Sequence, residues 1–179
     1  MIKNNEIKEI LRSIIGHRFV SITSDFLDSG YGHIILQLNE CAIDLKNEQK
    51  FQISNSKIFS DDEDVAAFSC QKYEGELKFE SAIDNQSCVK TAIDEIINGV
   101  AIIVDRIYVN GDFDFDMING ITITTSDHKY VFGKRIWFSE DIFFSMDSDR
   151  CLYPIDVEQS DLSNDGEYNI SVVREEYDL

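Results

Sequence analysis

A chain of 179 residues with 43% hydrophobic and 11% aromatic residues has the size and apolar content of a folded domain, which excludes a disordered acidic tail. Its 34 Asp and Glu against 16 Lys and Arg leave a formal net charge of −18. A surface that acidic repels nucleic acid and anionic membranes and attracts cationic proteins.

In chain order, the first predicted element is a helix. Ile7, Ile10, Leu11, Ile14 and Ile15 follow the i, i+3, i+4, i+7, i+8 spacing of one apolar stripe. Asn4 or Asn5 can cap it and Gly16 can end it. Strand patterns follow at 18–25, 33–38, 41–45, 50–59 and 65–73, rich in Ile, Val and Phe. Residues 89–97 repeat the helical spacing with Val89, Ala92, Ile93, Ile96 and Ile97, between Asn85 or Ser87 and Asn98-Gly99. That predicts a second amphipathic helix. Residues 100–133 read as a β-meander: strands 100–109, 112–118, 121–125 and 129–132, joined by Asn110-Gly111, Asn119-Gly120 and 126–128. Asn-Gly is a strong hairpin signal, because both central positions of a type I′ turn need positive φ. A strand pair is expected between Leu152 and Val173, turning at Asn164-Asp165-Gly166, with 175–179 frayed.

The expected class is therefore α+β: antiparallel and β-rich, with two amphipathic helices. Halves 1–84 and 85–179 would pack as one body. Both halves begin with a helix pattern, a Gly and a strand. Ile34–Leu38 also compares with Ile121–Thr125, and 57–64 with 141–149. These matches suggest two tandem α-β-meander repeats, against the alternative that short Ile-rich strands resemble one another by chance.

The N-terminus lacks the apolar run of a signal peptide and no stretch has the length of a membrane span, so a cytoplasmic protein is expected. Cys41, Cys70, Cys88 and Cys151 form no C-x-x-C and are expected to be reduced. Asp112-Phe113-Asp114-Phe115-Asp116 opens like a calcium loop, but Met117 and Ile123 stand where the loop needs Gly and Glu. In a strand, alternation would instead set three Asp outward and Phe113 and Phe115 inward. His17, His33 and His128 show no metal-ligand spacing, so no metal or cofactor is expected. No nucleophile elbow or dinucleotide loop is present, and no active-site constellation forms, so no catalysis is expected. Lys134-Arg135 beside Trp137 is the densest basic patch and too small for nucleic acid.

The candidate contact residues are carboxylates in three groups: Asp61, Asp62, Glu63 and Asp64; Asp112, Asp114 and Asp116; Asp147 and Asp149. With its small size, acidity, α+β pattern and Ile/Asn/Asp-rich usage, the chain resembles, as a class, the bacterial immunity proteins that neutralise cognate toxins. That resemblance implies a basic toxin domain, such as a nuclease, as partner, bound by electrostatic occlusion. Two other classes fit the same features. One is a small enzyme with a site assembled in space from Cys41 and His33 or His128. The other is a self-associating structural protein.

Overall fold

The computed structural model describes residues 5–60 and 63–179, and at 49–51 the backbone alone. The elements in chain order are α1 (Asn5–Arg12), β1 (Arg18–Ser24), β2 (Ser29–Tyr31), β3 (His33–Leu38), β4 (Cys41–Gln52), β5 (Asp64–Glu74), β6 (Val89–Val109), β7 (Asp112–Thr125), β8 (Lys129–Gly133), β9 (Asp141–Met146), α2 (Ile155–Leu162) and β10 (Ile170–Asp178). The strands pair antiparallel in the order β2-β9-β8-β7-β6-β1-β3-β4-β5, and β10 pairs with β6. Only Gly32, at φ +79°, separates β2 from β3. One bent run of chain therefore pairs first with β9 and then with β1 and β4, which closes the ladders into a ring.

Ile7 and Leu11 of α1, with Ile14 just beyond it, enter the main core with Phe19, Ile22, Leu36, Ile102, Ile121 and Phe132. That cluster draws on both halves of the chain. A second cluster sits beneath the loop after β4 and beneath α2, and holds Phe59, Phe115, Met117, Trp137, Tyr153 and Leu162.

The structure corrects four expectations and leaves a fifth unseen. Residues 89–97 are not a helix but the start of the 21-residue strand β6, paired with β1 from Ser24↔Val89 to Arg18↔Ile96. Val89, Thr91, Ile93, Ile96 and Ile97 are β-branched and stiff at χ1, so partner strands on offer outweigh a helical spacing they satisfy equally well. Asn119-Gly120 is not a turn. β7 runs through it with a register shift that leaves Asn119 extra. The Gly is needed for packing, since a Cβ at 120 would lie 2.6 Å from Leu152 Cδ2 and 2.9 Å from the Phe132 carbonyl oxygen. Residues 155–162 are helical, so the second helix lies inside the expected strand pair. β10 then continues to Asp178, with Tyr177 and Leu179 against the core, so 175–178 are paired and not frayed. The tandem repeat is not seen: 7–15 begins with a helix, whereas 89–97 is strand. Asn110-Gly111 does turn as expected, at φ +53° and +88°.

Candidate functional site

The predicted carboxylates fall into two neighbourhoods. The first surrounds the loop 53–60. Asp114 accepts hydrogen bonds from Ser56 Oγ (2.7 Å) and from the Lys57 backbone N–H (2.9 Å), and Asp112 pairs with Lys57 Nζ at 2.9 Å. The Lys57 ammonium holds the Asp112 carboxyl below its ordinary range. Glu63 accepts from the Ser60 backbone N–H (2.8 Å), and the exposed Asp64 opens β5. Asp61 and Asp62 lie outside the described residues. Asp116 is half-buried opposite Arg106. The row is not a plain alternation: a register shift between Ile107 and Tyr108 leaves Phe113 54% exposed while Phe115 is buried.

The second neighbourhood is the turn after β9. Asp147 accepts from the Lys129 backbone N–H (2.8 Å) and contacts His128 Nδ1 (2.8 Å); both bonds lower its carboxyl pKa, and the second raises that of the imidazole. Asp149 is exposed. Beside this turn, Leu27 and Met146 stand 75% and 53% exposed on a hollow of 480 Å³.

Sequence reasoning missed what the first neighbourhood borders. A groove of 310 Å³ runs between the loop and the segment before β9, with an apolar floor and wall of Phe59, Ile136, Trp137 and Phe138. Phe59 sits 5.8 Å from the rings of both Trp137 and Phe138, and Phe115 backs Trp137 at 5.5 Å. Ile136 and Phe138 are left exposed. The ionisable residues lining the groove are two carboxylates, Glu63 and Asp161, and the phenol of Tyr153, which donates to Asp161. Among the described residues neither Lys nor Arg lines it.

Behind the groove the supposed basic patch is dismantled. Lys134 is buried, its Nζ donating to the Ala66 carbonyl (2.6 Å) and lying 5.1 Å from the centre of the Trp137 ring. Burial pushes its pKa down to about 7, against the pull of Glu158 and Asp105. Arg135 turns away and lies 4.4 Å over the Phe143 ring. Farther in, Arg174 binds Asp105 through Nε and an Nη, both at 2.6 Å, and Asn119 donates to the same carboxylate at 2.5 Å. Glu158 of α2 lies 3.4 Å from Arg174, and burial, then the Asp105 carboxylate, raises its pKa. This network ties α2 and β10 to β6 and so fixes one end of the groove wall.

The residues weighed as a Cys–His pair have other partners. Cys41 is buried, which raises its thiol pKa, while His33 contacts Asp44 and His128 contacts Asp147. Among the described residues no group of three or more His, Cys, Asp or Glu is placed to hold a metal ion, and no helix is long and apolar enough to cross a membrane. No family model, curated protein or solved structure matches the chain.

Proposed function

We propose that the protein is an acidic binding protein that captures and neutralises a basic protein domain in the cytoplasm, as immunity proteins do with toxins; a cationic nuclease is the partner class its charge suits. The observation that carries this reading is the apolar, aromatic groove of Phe59, Ile136, Trp137 and Phe138, whose charged lining among the described residues is acidic. Buried aromatic anchors ringed by complementary charge are what set off-rates in protein interfaces. The net charge of −18 supplies long-range attraction, which speeds encounter with a cationic partner and weakens with salt. The carboxylates divide the work. Asp112, Asp114 and one oxygen of Glu63 hold the loop, while the exposed Asp64 and the remaining oxygens of Glu63 and Asp161 are placed to meet Lys or Arg.

The test is a tagged pull-down from the native cells at low and high salt, read by mass spectrometry. One stoichiometric basic protein retained at high salt is expected. Its affinity should fall more than about tenfold on Phe138→Ser, a loss within reach of one interface anchor. Asp64→Lys should chiefly slow association. Recovery of nothing, or of a mixture that salt releases, refutes the reading. A partner whose affinity ignores Phe138→Ser and Ile136→Ser removes the groove from the interface.

A further inference from the structure

Residues 75–88 run from β5 to β6 without helix or strand, and none of them is buried. This segment therefore has no fully buried anchor, and polar contacts tie it to the sheet at several points. At its start, Gln37 Nε2 donates to the Gly75 carbonyl (3.1 Å) and Gln37 Oε1 accepts from the Leu77 N–H (3.3 Å). Toward its end, Ser81 Oγ donates to the Asp25 carboxylate, and Gln86 Nε2 donates to the Asp25 carbonyl at 3.1 Å. Between these ties stands His33 of β3. Its Nδ1 is 2.9 Å from Asp44 Oδ1, its Nε2 is 2.8 Å from the Glu80 carbonyl oxygen, and Phe79 stacks on the ring at 4.6 Å and 13°.

Both partners of this ring are acceptors. A carbonyl oxygen cannot donate, and neither can a carboxylate. Only the imidazolium, with a proton on each nitrogen, makes both bonds; a neutral ring must give one up. We propose that residues 75–88 form a proton-latched strap, docked on the β3–β4 hairpin while His33 carries both ring protons and loosened when it loses one. The latch closes one wall of a 440 Å³ cleft, with Glu80 and Ala82 of the strap facing Tyr31, His33 and Lys46.

The charged groups around the ring favour the latched form. Asp44 and Glu48 come from β4, Asp25 follows β1, Glu140 precedes β9 and Glu80 belongs to the strap. Lys46 opposes them but lies 3.6 Å from Asp44 and 3.7 Å from Glu48, so its charge is largely matched. The Asp44 hydrogen bond raises the His33 pKa, burial lowers it in part, and the Glu80 carbonyl adds to the rise; the net shift is upward from 6.5. A group whose folded pKa is raised stabilises the docked form fully below its unfolded value. That contribution is lost as pH climbs through the folded value. The strap therefore loosens on the alkaline side of ordinary histidine titration.

Hydrogen exchange of the whole chain, read by mass spectrometry from about pH 5.5 to about pH 8.5 with times scaled for intrinsic exchange, tests the latch. Protection across 75–88 should fall about fivefold, the effect of one net hydrogen bond, in step with the His33 titration followed by NMR. Peptides from β3 and β4 should hold steady. His33→Gln should leave the strap weakly protected at every pH. Asp44→Asn, which keeps the ring but removes the charge beside it, should move the step to lower pH and serves alone if His33→Gln does not fold. Flat protection in the wild-type chain, a step that survives His33→Gln, or an Asp44→Asn step that does not move overturns the proposal.

Discussion

Arg174→Met is the most telling single substitution. Asp105 is fully buried and takes its hydrogen bonds from Arg174 Nε (2.6 Å), Arg174 Nη2 (2.6 Å) and Asn119 Nδ2 (2.5 Å). The variant removes both charge-assisted bonds and leaves a carboxylate in the interior with one amide and the neighbouring Glu158 carboxyl. Two such bonds at about 1.5–3 kcal/mol each sum to about 3–6 kcal/mol, and the range for stripping one partner from a buried ion pair narrows the loss to about 3–5 kcal/mol. For a chain of this size that is a fall in Tm of about 6–20 °C. Urea and thermal melts followed by circular dichroism read it directly. The double variant Arg174→Met with Asp105→Leu removes the ion pair and should cost only about 1–2 kcal/mol, for the Asn119 amide and the buried Glu158 carboxyl left without their partners. A single variant within about 1 kcal/mol of wild type, or a double variant as unstable as the single, would refute the reasoning.

Other outcomes follow from packing and thiol environment. A Cβ at Gly133 would sit 2.6 Å from Leu152 Cδ2 and 2.8 Å from the Cys151 carbonyl oxygen, so Gly133→Ala should cost about 1–3 kcal/mol in a urea melt. An unchanged midpoint would mean that the 151–152 segment yields freely. Of the four thiols only Cys88 is exposed, while burial pushes Cys70 up to about 12. Ellman's reagent should therefore label one thiol quickly in the native protein and none quickly in Cys88→Ser; rapid labelling of two would contradict the burial of the others. Phe132→Ala, at a fully buried ring in the main core, should cost about 3–5 kcal/mol, and a loss below about 1 kcal/mol would show that the ring does not fill that core.

Strand signals in the sequence were strongest where one local rule acted alone. Asn110-Gly111 turns because two adjacent positive-φ sites leave the chain little else to do. Asn119-Gly120 carries the same dipeptide, yet Leu152, more than thirty positions away, decides its fate by filling the space above Gly120. The 89–97 stripe fits a helix on paper, and only the presence of β1 beside it selects a strand. α2 escaped notice because its buried residues are Glu158 and Leu162, while Ile155 and Val157 face outward, the reverse of an apolar stripe. The site divides in the same way. Its carboxylates stand in legible runs, but its groove joins Phe59, Trp137 and Leu162 from three distant segments, and no local pattern links them.

The ring of strands is sealed by a short seam. β2 meets β9 through three residue pairs, Ser29–Phe143, Gly30–Ile142 and Tyr31–Asp141. Buried Asn47 reinforces it from β4, its amide donating to the carbonyls of Ser139 (2.9 Å) and Asp141 (3.2 Å). Residues more than a hundred positions apart must find each other there, and nothing local prepares the meeting. Search over so long a loop belongs to the slow end of single-domain folding, milliseconds to seconds. A stave barrel without its last hoop still holds its staves in order. A chain halted before this seam forms would likewise have most of its ladders in place while both free edges remained open to any strand that came by.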